Sequence, residues 1–224
     1  KRMDTKINTR EDLENGLKNI NILGEIPFDK NFKVDTDDGR GVTAESIRVL
    51  RSNLSFLLKK DTVNIITVTS TIKGEGKSFV SYNLAKSYKA LGKKVILIGG
   101  DLRNPQLHKF LGIERNSLGL STYLSDQNFK NIDNLIIKGT GPQEIDFLLS
   151  GAIPPNPSEL LMSSQLKNLL ELLKERYDVI LIDSAPLLLV SDTTALLPIS
   201  DLVVYVSKSQ FSDKNVFPFI KELL

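Results

Sequence analysis

One junction constrains this chain more than any other feature. The apolar, β-branched run Val63–Thr69 (VNIITVT) leads into Ser70-Thr71-Ile72-Lys73-Gly74-Glu75-Gly76-Lys77-Ser78, and a helical pattern follows over Lys77–Leu91. A strand that enters a glycine-rich turn and leaves as a helix is the arrangement that cradles phosphate groups. Gly74 and Gly76 allow the backbone to turn its N–H groups inward. The start of the helix adds partial positive charge. Lys77 can reach the β- and γ-phosphates, and the Ser78 hydroxyl can ligate a magnesium ion. The phosphate-contacting stretch is expected to comprise Gly74, Glu75, Gly76, Lys77, Ser78 and Phe79. A fuller match to the loop pattern would carry glycine where Thr71 stands.

The rest of the chain alternates in the same way. A helix is predicted over Thr43–Leu58, with Ile47, Leu50 and Leu54 at helical spacing. Buried strands are predicted at Lys94–Ile98, Val179–Ile182 and Leu202–Val206, with weaker candidates at Asn134–Ile137 and Ile145–Leu149. One long amphipathic helix is predicted over Ser158–Arg176 and a last helix over Asp213–Leu224. Continuous apolar strands separated by helices predict an α/β fold, P-loop NTPase-like, with a mostly parallel sheet flanked by helices on both faces in three layers. Residues 1–40 are polar and read as an arm or linker lying on a single core at 41–224. Within them, a short helix over Arg10–Glu14 with Thr9 as its N-cap, an extended Leu23–Pro27 and a polar loop at 35–40 are expected.

Composition narrows the chemistry. There is no cysteine and one histidine, His108, so disulfides, thiol catalysis and multi-histidine metal sites are excluded within the chain. Lys and Arg number 29 against 27 Asp and Glu, a net charge of +2 that offers no argument for nucleic acid. No apolar run approaches the roughly 20 residues of a membrane span. The chain opens on Lys1 rather than Met and is expected to be a piece of a longer protein.

A phosphate cradle needs an acid at the carboxyl end of a neighbouring strand to hold its metal. Asp183 ends Val179-Ile180-Leu181-Ile182-Asp183, and Asp101 follows Val95-Ile96-Leu97-Ile98-Gly99-Gly100 with Arg103 two residues on. Lys77, Asp101 and Asp183 are the predicted catalytic residues, and Ser78, Asp101 and Asp183 the predicted metal ligands. Asp192 is expected to cap a helix and His108 to be an ordinary helix residue. Tyr205 is expected in the core, and Arg103 receives no role.

Together these residues resemble the bacterial tyrosine kinases, the cytoplasmic kinase domains of capsule and exopolysaccharide co-polymerases, within the MinD/ParA-like P-loop ATPases. Ser70–Ser78 is similar to their Walker A motif, Ile98–Arg103 to their Walker A′ and Ile180–Asp183 to their Walker B. Gly151–Leu161 is similar to a segment distinctive of the family. Glu45, Arg48 and Arg51 match its ExxRxxR helix motif, associated with ring assembly, and their spacing places them toward one helix face. The resemblance implies ATP and Mg²⁺ as cofactors and tyrosine autophosphorylation on the C-terminal tail of a neighbouring subunit in a ring-like homo-oligomer. It also implies a link to polysaccharide export and polymerisation machinery, and a place at the cytoplasmic face of the inner membrane through segments outside this chain. Three departures stand out. Gly99 replaces the first acid of Walker A′, which leaves Asp101 to orient or deprotonate the acceptor hydroxyl or to help hold the metal. The lysine typical of MinD-type loops would fall at Ile72. No tyrosine cluster precedes Leu224. A MinD/ParA-like ATPase switch and a non-catalytic nucleotide-binding regulator remain alternatives at this point.

Overall fold

The computed structural model describes residues 5–18, 20–28, 41–115, 117–129, 131–139, 144–188 and 192–223. The polar loop expected at 35–40, and with it the boundary between arm and core, lies outside these.

Six strands form one sheet: β1 Asn64–Ser70, β2 Val95–Gly99, β3 Ile136–Ile137, β4 Asp146–Leu148, β5 Val179–Asp183 and β6 Leu202–Val206, in the order β3-β4-β2-β5-β1-β6. Every pairing is parallel except β3 with β4. The helices are α1 Arg10–Gly16, α2 Val42–Ser55, α3 Lys77–Lys89, α4 Leu120–Ser125, α5 Pro157–Met162, α6 Ser164–Lys174, α7 Asp192–Leu196 and α8 Phe217–Leu223.

The strands read as unbroken apolar runs because each feeds two cores. Val95, Leu97, Phe147, Val179 and Leu181 pack with Leu50 and Leu54 of α2 and with Val80, Leu84 and Tyr88 of α3. Their neighbours Ile96, Ile98, Leu148, Ile180 and Ile182 point the other way, onto Leu120 of α4, Leu161 of α5 and Leu166, Leu169 and Leu173 of α6. Alternate side chains of a strand leave by opposite faces. The three layers expected from the sequence follow.

The expected helix over Ser158–Arg176 is two helices. Ser163 is extended (φ −70°, ψ 156°) and its hydroxyl donates to the Leu160 carbonyl at 2.6 Å. A side chain that binds its own backbone competes with the helical ladder, and here it breaks it. Asp213–Leu224 is likewise shorter than expected: a 3₁₀ turn at Lys214–Val216 leads into α8. The helix expected over Thr43–Leu58 ends at Ser55.

The N-terminal segment packs on the core. Thr9 caps α1 in a reciprocal box with Asp12. Ile7 and Leu17 are buried with Val216, Phe217 and Ile220. The Ile7 N–H donates to the Ser212 carbonyl at 2.9 Å, and the Gln210 N–H donates to the Ile7 carbonyl at 2.8 Å. Lys214, hydrogen-bonded to Asp12, holds that carboxyl down to about 2. Among the described residues no helix is long and apolar enough to cross a membrane.

Candidate active site

The strand order builds the site. β1 is flanked by β5, and β5 by β2, so the turns that leave all three open at the same carboxyl end of the sheet, where ligands bind in open α/β sheets. Gly74 (φ +97°) and Gly76 (φ +102°) occupy left-handed conformations that other residues adopt only with strain. They bend the chain from β1 into α3, whose first residue is Lys77.

Lys77, Asp101 and Asp183, all at least nine-tenths buried, converge there. Lys77 Nζ lies 3.6 Å from Asp101 Oδ2 and 3.7 Å from Asp183 Oδ1. The Ser78 hydroxyl donates to Asp183 Oδ2 at 2.6 Å. Asp101 Oδ1 accepts the N–H groups of Asn104 at 2.9 Å and Arg103 at 3.2 Å, which turns Oδ2 toward Lys77. The two acid-bearing turns are joined by main chain. The N–H groups of Gly100 and Asp101 both donate to the Asp183 carbonyl, at 2.8 and 3.1 Å. Burial pushes the Asp183 carboxyl above its ordinary value, against the opposing pull of Lys77 and the Ser78 hydroxyl.

Asp183 Oδ1 is buried with no hydrogen-bond partner. An acceptor oxygen left open beside a serine hydroxyl and a second carboxylate is a hard-oxygen donor set, the kind that suits Mg²⁺. Ser78 and Asp183 fit as its ligands, with Asp101 beside them. A cavity of about 540 Å³ opens over Lys77, Ser78 and Asp101, with Phe79, Phe110 and Pro186 as its apolar wall.

The side chains of two expected phosphate contacts, Glu75 and Phe79, are placed as follows. The Glu75 side chain is buried and turns inward, accepting the Ile72 N–H at 2.8 Å and the Ser212 hydroxyl. It shapes the loop, and only its backbone faces the expected role. Phe79 is among the residues that line the cavity.

The ExxRxxR residues separate. Glu45 and Arg48 pair at 2.7 Å on the exposed surface of α2. Arg51 instead donates to the Ser87 carbonyl at 2.9 Å and hydroxyl at 3.1 Å, joining α2 to the last turn of α3. At 3.6 residues per turn, a residue six positions on sits about 120° round the helix, so one face cannot hold all three.

Other residues also find their places. His108 is half-buried in the 3₁₀ helix Leu107–Leu111, and burial lowers its pKa. Tyr205 lies at the margin of the core, hydrogen-bonded to Thr71, and burial pushes its hydroxyl up to about 12. Asp192 is the first residue of α7 rather than its cap. It is fully buried and receives Arg103 Nε at 2.7 Å. Sequence reasoning missed Ser158 and Ser212, since a lone serine carries no spacing signal. Ser158 does sit in the PPNPS segment singled out by resemblance.

The sequence profile of the AAA domain matches residues 63–223. The tyrosine-protein kinase YwqD of Bacillus subtilis is 34% identical over 185 residues, covering 83% of this chain and 76% of that protein. The chain belongs to the bacterial tyrosine kinases. The solved BceF tyrosine kinase domain superposes with a TM-score of 0.83 at 31% identity, over 97% of this chain and 93% of that one. A relative from the cps region of Klebsiella pneumoniae is 37% identical over 163 residues, 72% of this chain. The chain spans about a fifth of that relative's length and of other long relatives. The likeness shows the P-loop nucleotide-binding fold for this chain.

Gly99 stands where the resemblance implied an acid. A Cβ there would lie 2.5 Å from the Ser150 hydroxyl oxygen and 2.9 Å from its backbone nitrogen. The Ser150 hydroxyl donates to the Gly99 carbonyl at 2.8 Å. The space an acidic side chain would need is closed by the strand-end turn of β4. Restoring the acid as Gly99→Asp should therefore fail to raise activity. It should destabilise the fold by about 1–3 kcal/mol through overpacking, read from urea midpoints; an active, equally stable variant would refute the steric account.

Proposed function

We propose that this domain transfers the γ-phosphoryl group of ATP·Mg²⁺ to tyrosine hydroxyls on a neighbouring subunit of the same protein. The observation that carries the reading is the buried Lys77, set between Asp101 and Asp183 with Ser78 hydrogen-bonded to the latter. Phosphoryl transfer passes through a loose transition state, so its catalysis is mostly positioning and charge neutralisation. The backbone N–H groups of Gly74–Ser78 would bind the phosphates, and Lys77 would neutralise the β/γ oxygens. Ser78 and Asp183 would hold magnesium, which when bound supplies further neutralising charge. Asp101 Oδ2 is the carboxylate oxygen left to orient the acceptor hydroxyl or accept its proton. A tyrosine hydroxyl has an ordinary pKa near 10 and needs such help.

Family likeness supports the wider setting: a ring-like assembly using the exposed Glu45–Arg48 face, regulation of capsule or exopolysaccharide synthesis and export, and membrane attachment through segments outside this chain at the cytoplasmic face. Arg51, held on α3, would support that face from behind rather than reach a neighbour. No nucleic-acid partner is proposed.

The test pairs phosphotyrosine detection on the full-length protein with phosphate release from this fragment. ATP-dependent phosphotyrosine is the expected result. Steady phosphate release with no phosphotyrosine on any subunit would replace the kinase with an ATPase switch.

A further inference from the structure

Arg103 and Asp192 make an ion pair whose two halves live in different environments. Asp192 has no exposed surface, whereas nearly half of the Arg103 side chain (45%) is exposed. Arg103 grips the carboxylate through one edge of its guanidinium, Nε to Oδ2 at 2.7 Å and Nη2 to Oδ1 at 3.1 Å. Nη2 also reaches the Ser158 hydroxyl at 3.3 Å, and that hydroxyl contacts Asp192 in turn. The third nitrogen, Nη1, makes no hydrogen bond among the described residues. Arg103 lines the same cavity as Lys77, Ser78 and Asp101.

A bidentate, planar grip on a buried carboxylate fixes a guanidinium far better than a lone surface side chain. Three elements converge to provide it: the turn after β2, the start of α5 through Ser158, and the start of α7 through Asp192. Two other cations, Lys73 and Lys109, line the cavity. Both are exposed, and no side-chain partner holds either among the described residues. Position 72, in the loop itself, is isoleucine and adds no charge. Lys77 is already shared between two carboxylates.

We propose that Arg103 is a second catalytic cation, supplied in cis, whose unused Nη1 stabilises the charge that builds on the transferring phosphoryl group. Asp192, steadied by Ser158, is the positioning residue that holds Arg103 in place. This rests on the phosphoryl-transfer reading above. A cation pre-set for the transition state contributes to kcat more than to ground-state nucleotide binding.

The test compares binding of ADP alone with binding of ADP plus aluminium fluoride, a mimic of the transferring group, to the intact domain in the presence of Mg²⁺. Arg103→Ala should keep ADP affinity within about threefold, lose at least about tenfold in the aluminium fluoride complex, and lower kcat about 10²-fold. Added guanidinium should recover part of the kcat of Arg103→Ala. Asp192→Asn should follow the same pattern more weakly. If Asp192→Asn fails to fold, Arg103→Ala decides alone, because Arg103 is partly exposed. Equal loss of ADP and aluminium fluoride binding, or no loss of either, overturns the proposal while leaving the kinase reading standing. A parent domain that binds neither overturns both.

Discussion

Replacing Lys77 by methionine should lower phosphoryl transfer by about 10³-fold, roughly 4 kcal/mol in the barrier, with the fold retained. The ammonium stands between two buried carboxylates, so its loss removes the positive charge nearest to where the phosphates must sit. The methionine stem refills most of the volume. The variant would otherwise leave two anions facing each other in a buried site. Burial already pushes Asp183 up, and Lys77 is the first influence holding it down. Without the lysine that carboxyl takes up a proton more readily, which caps the cost to stability. A phosphotyrosine assay alongside a thermal melt checks both halves. Full activity in a preparation free of other kinases would remove Lys77 from the mechanism.

Phe147→Ala should cost about 3–5 kcal/mol of stability, the usual range for emptying a buried phenyl site. Phe147 is 1% exposed, sits on β4 opposite Leu97, and stacks on Tyr82 of α3 with ring centroids 6.1 Å apart. Tyr82 in turn stacks on Phe110 at 5.0 Å. Phe110 forms part of the wall of the nucleotide cavity. The substitution therefore empties the core at one end of a three-ring stack and loosens the cavity wall at the other. Urea unfolding should show the loss, and nucleotide affinity should fall with it. A stability change under about 1 kcal/mol would mean that the site collapses around the smaller side chain and the stack carries little.

Much of this was legible in the sequence because the signals were local. The β-branched run, the two glycines, Lys77 and Ser78 sit within a few residues of one another, and the strand that presents Asp183 reads as four apolar residues and an acid. The sheet brings the rest of the candidate site together; acids at the ends of apolar strands pointed to Asp101 and Asp183, but their partners across the sheet carry no local signal. Nothing near Gly99 says that Ser150 fills the space beside it, because the two come together across β2 and β4. The break at Ser163 was hidden because Leu160, Leu161, Leu166, Leu169 and Leu173 keep a helical rhythm across it. Arg103 was left without a role because its partner lies 89 residues on. The sequence did not show that the Glu75 carboxylate accepts from the Ser212 hydroxyl, because Ser212 lies 137 residues on, past the end of β6.

The shared carbonyl of Asp183, which receives both Gly100 and Asp101, has a mechanical consequence. The two turns that carry the carboxylates are spaced by peptide groups, and contacts to Ser78, Arg103 and Asn104 then set the side chains. Side-chain substitutions elsewhere in the sheet leave this main-chain link between the two turns in place. Parting the two turns requires breaking main-chain hydrogen bonds between the ends of β2 and β5.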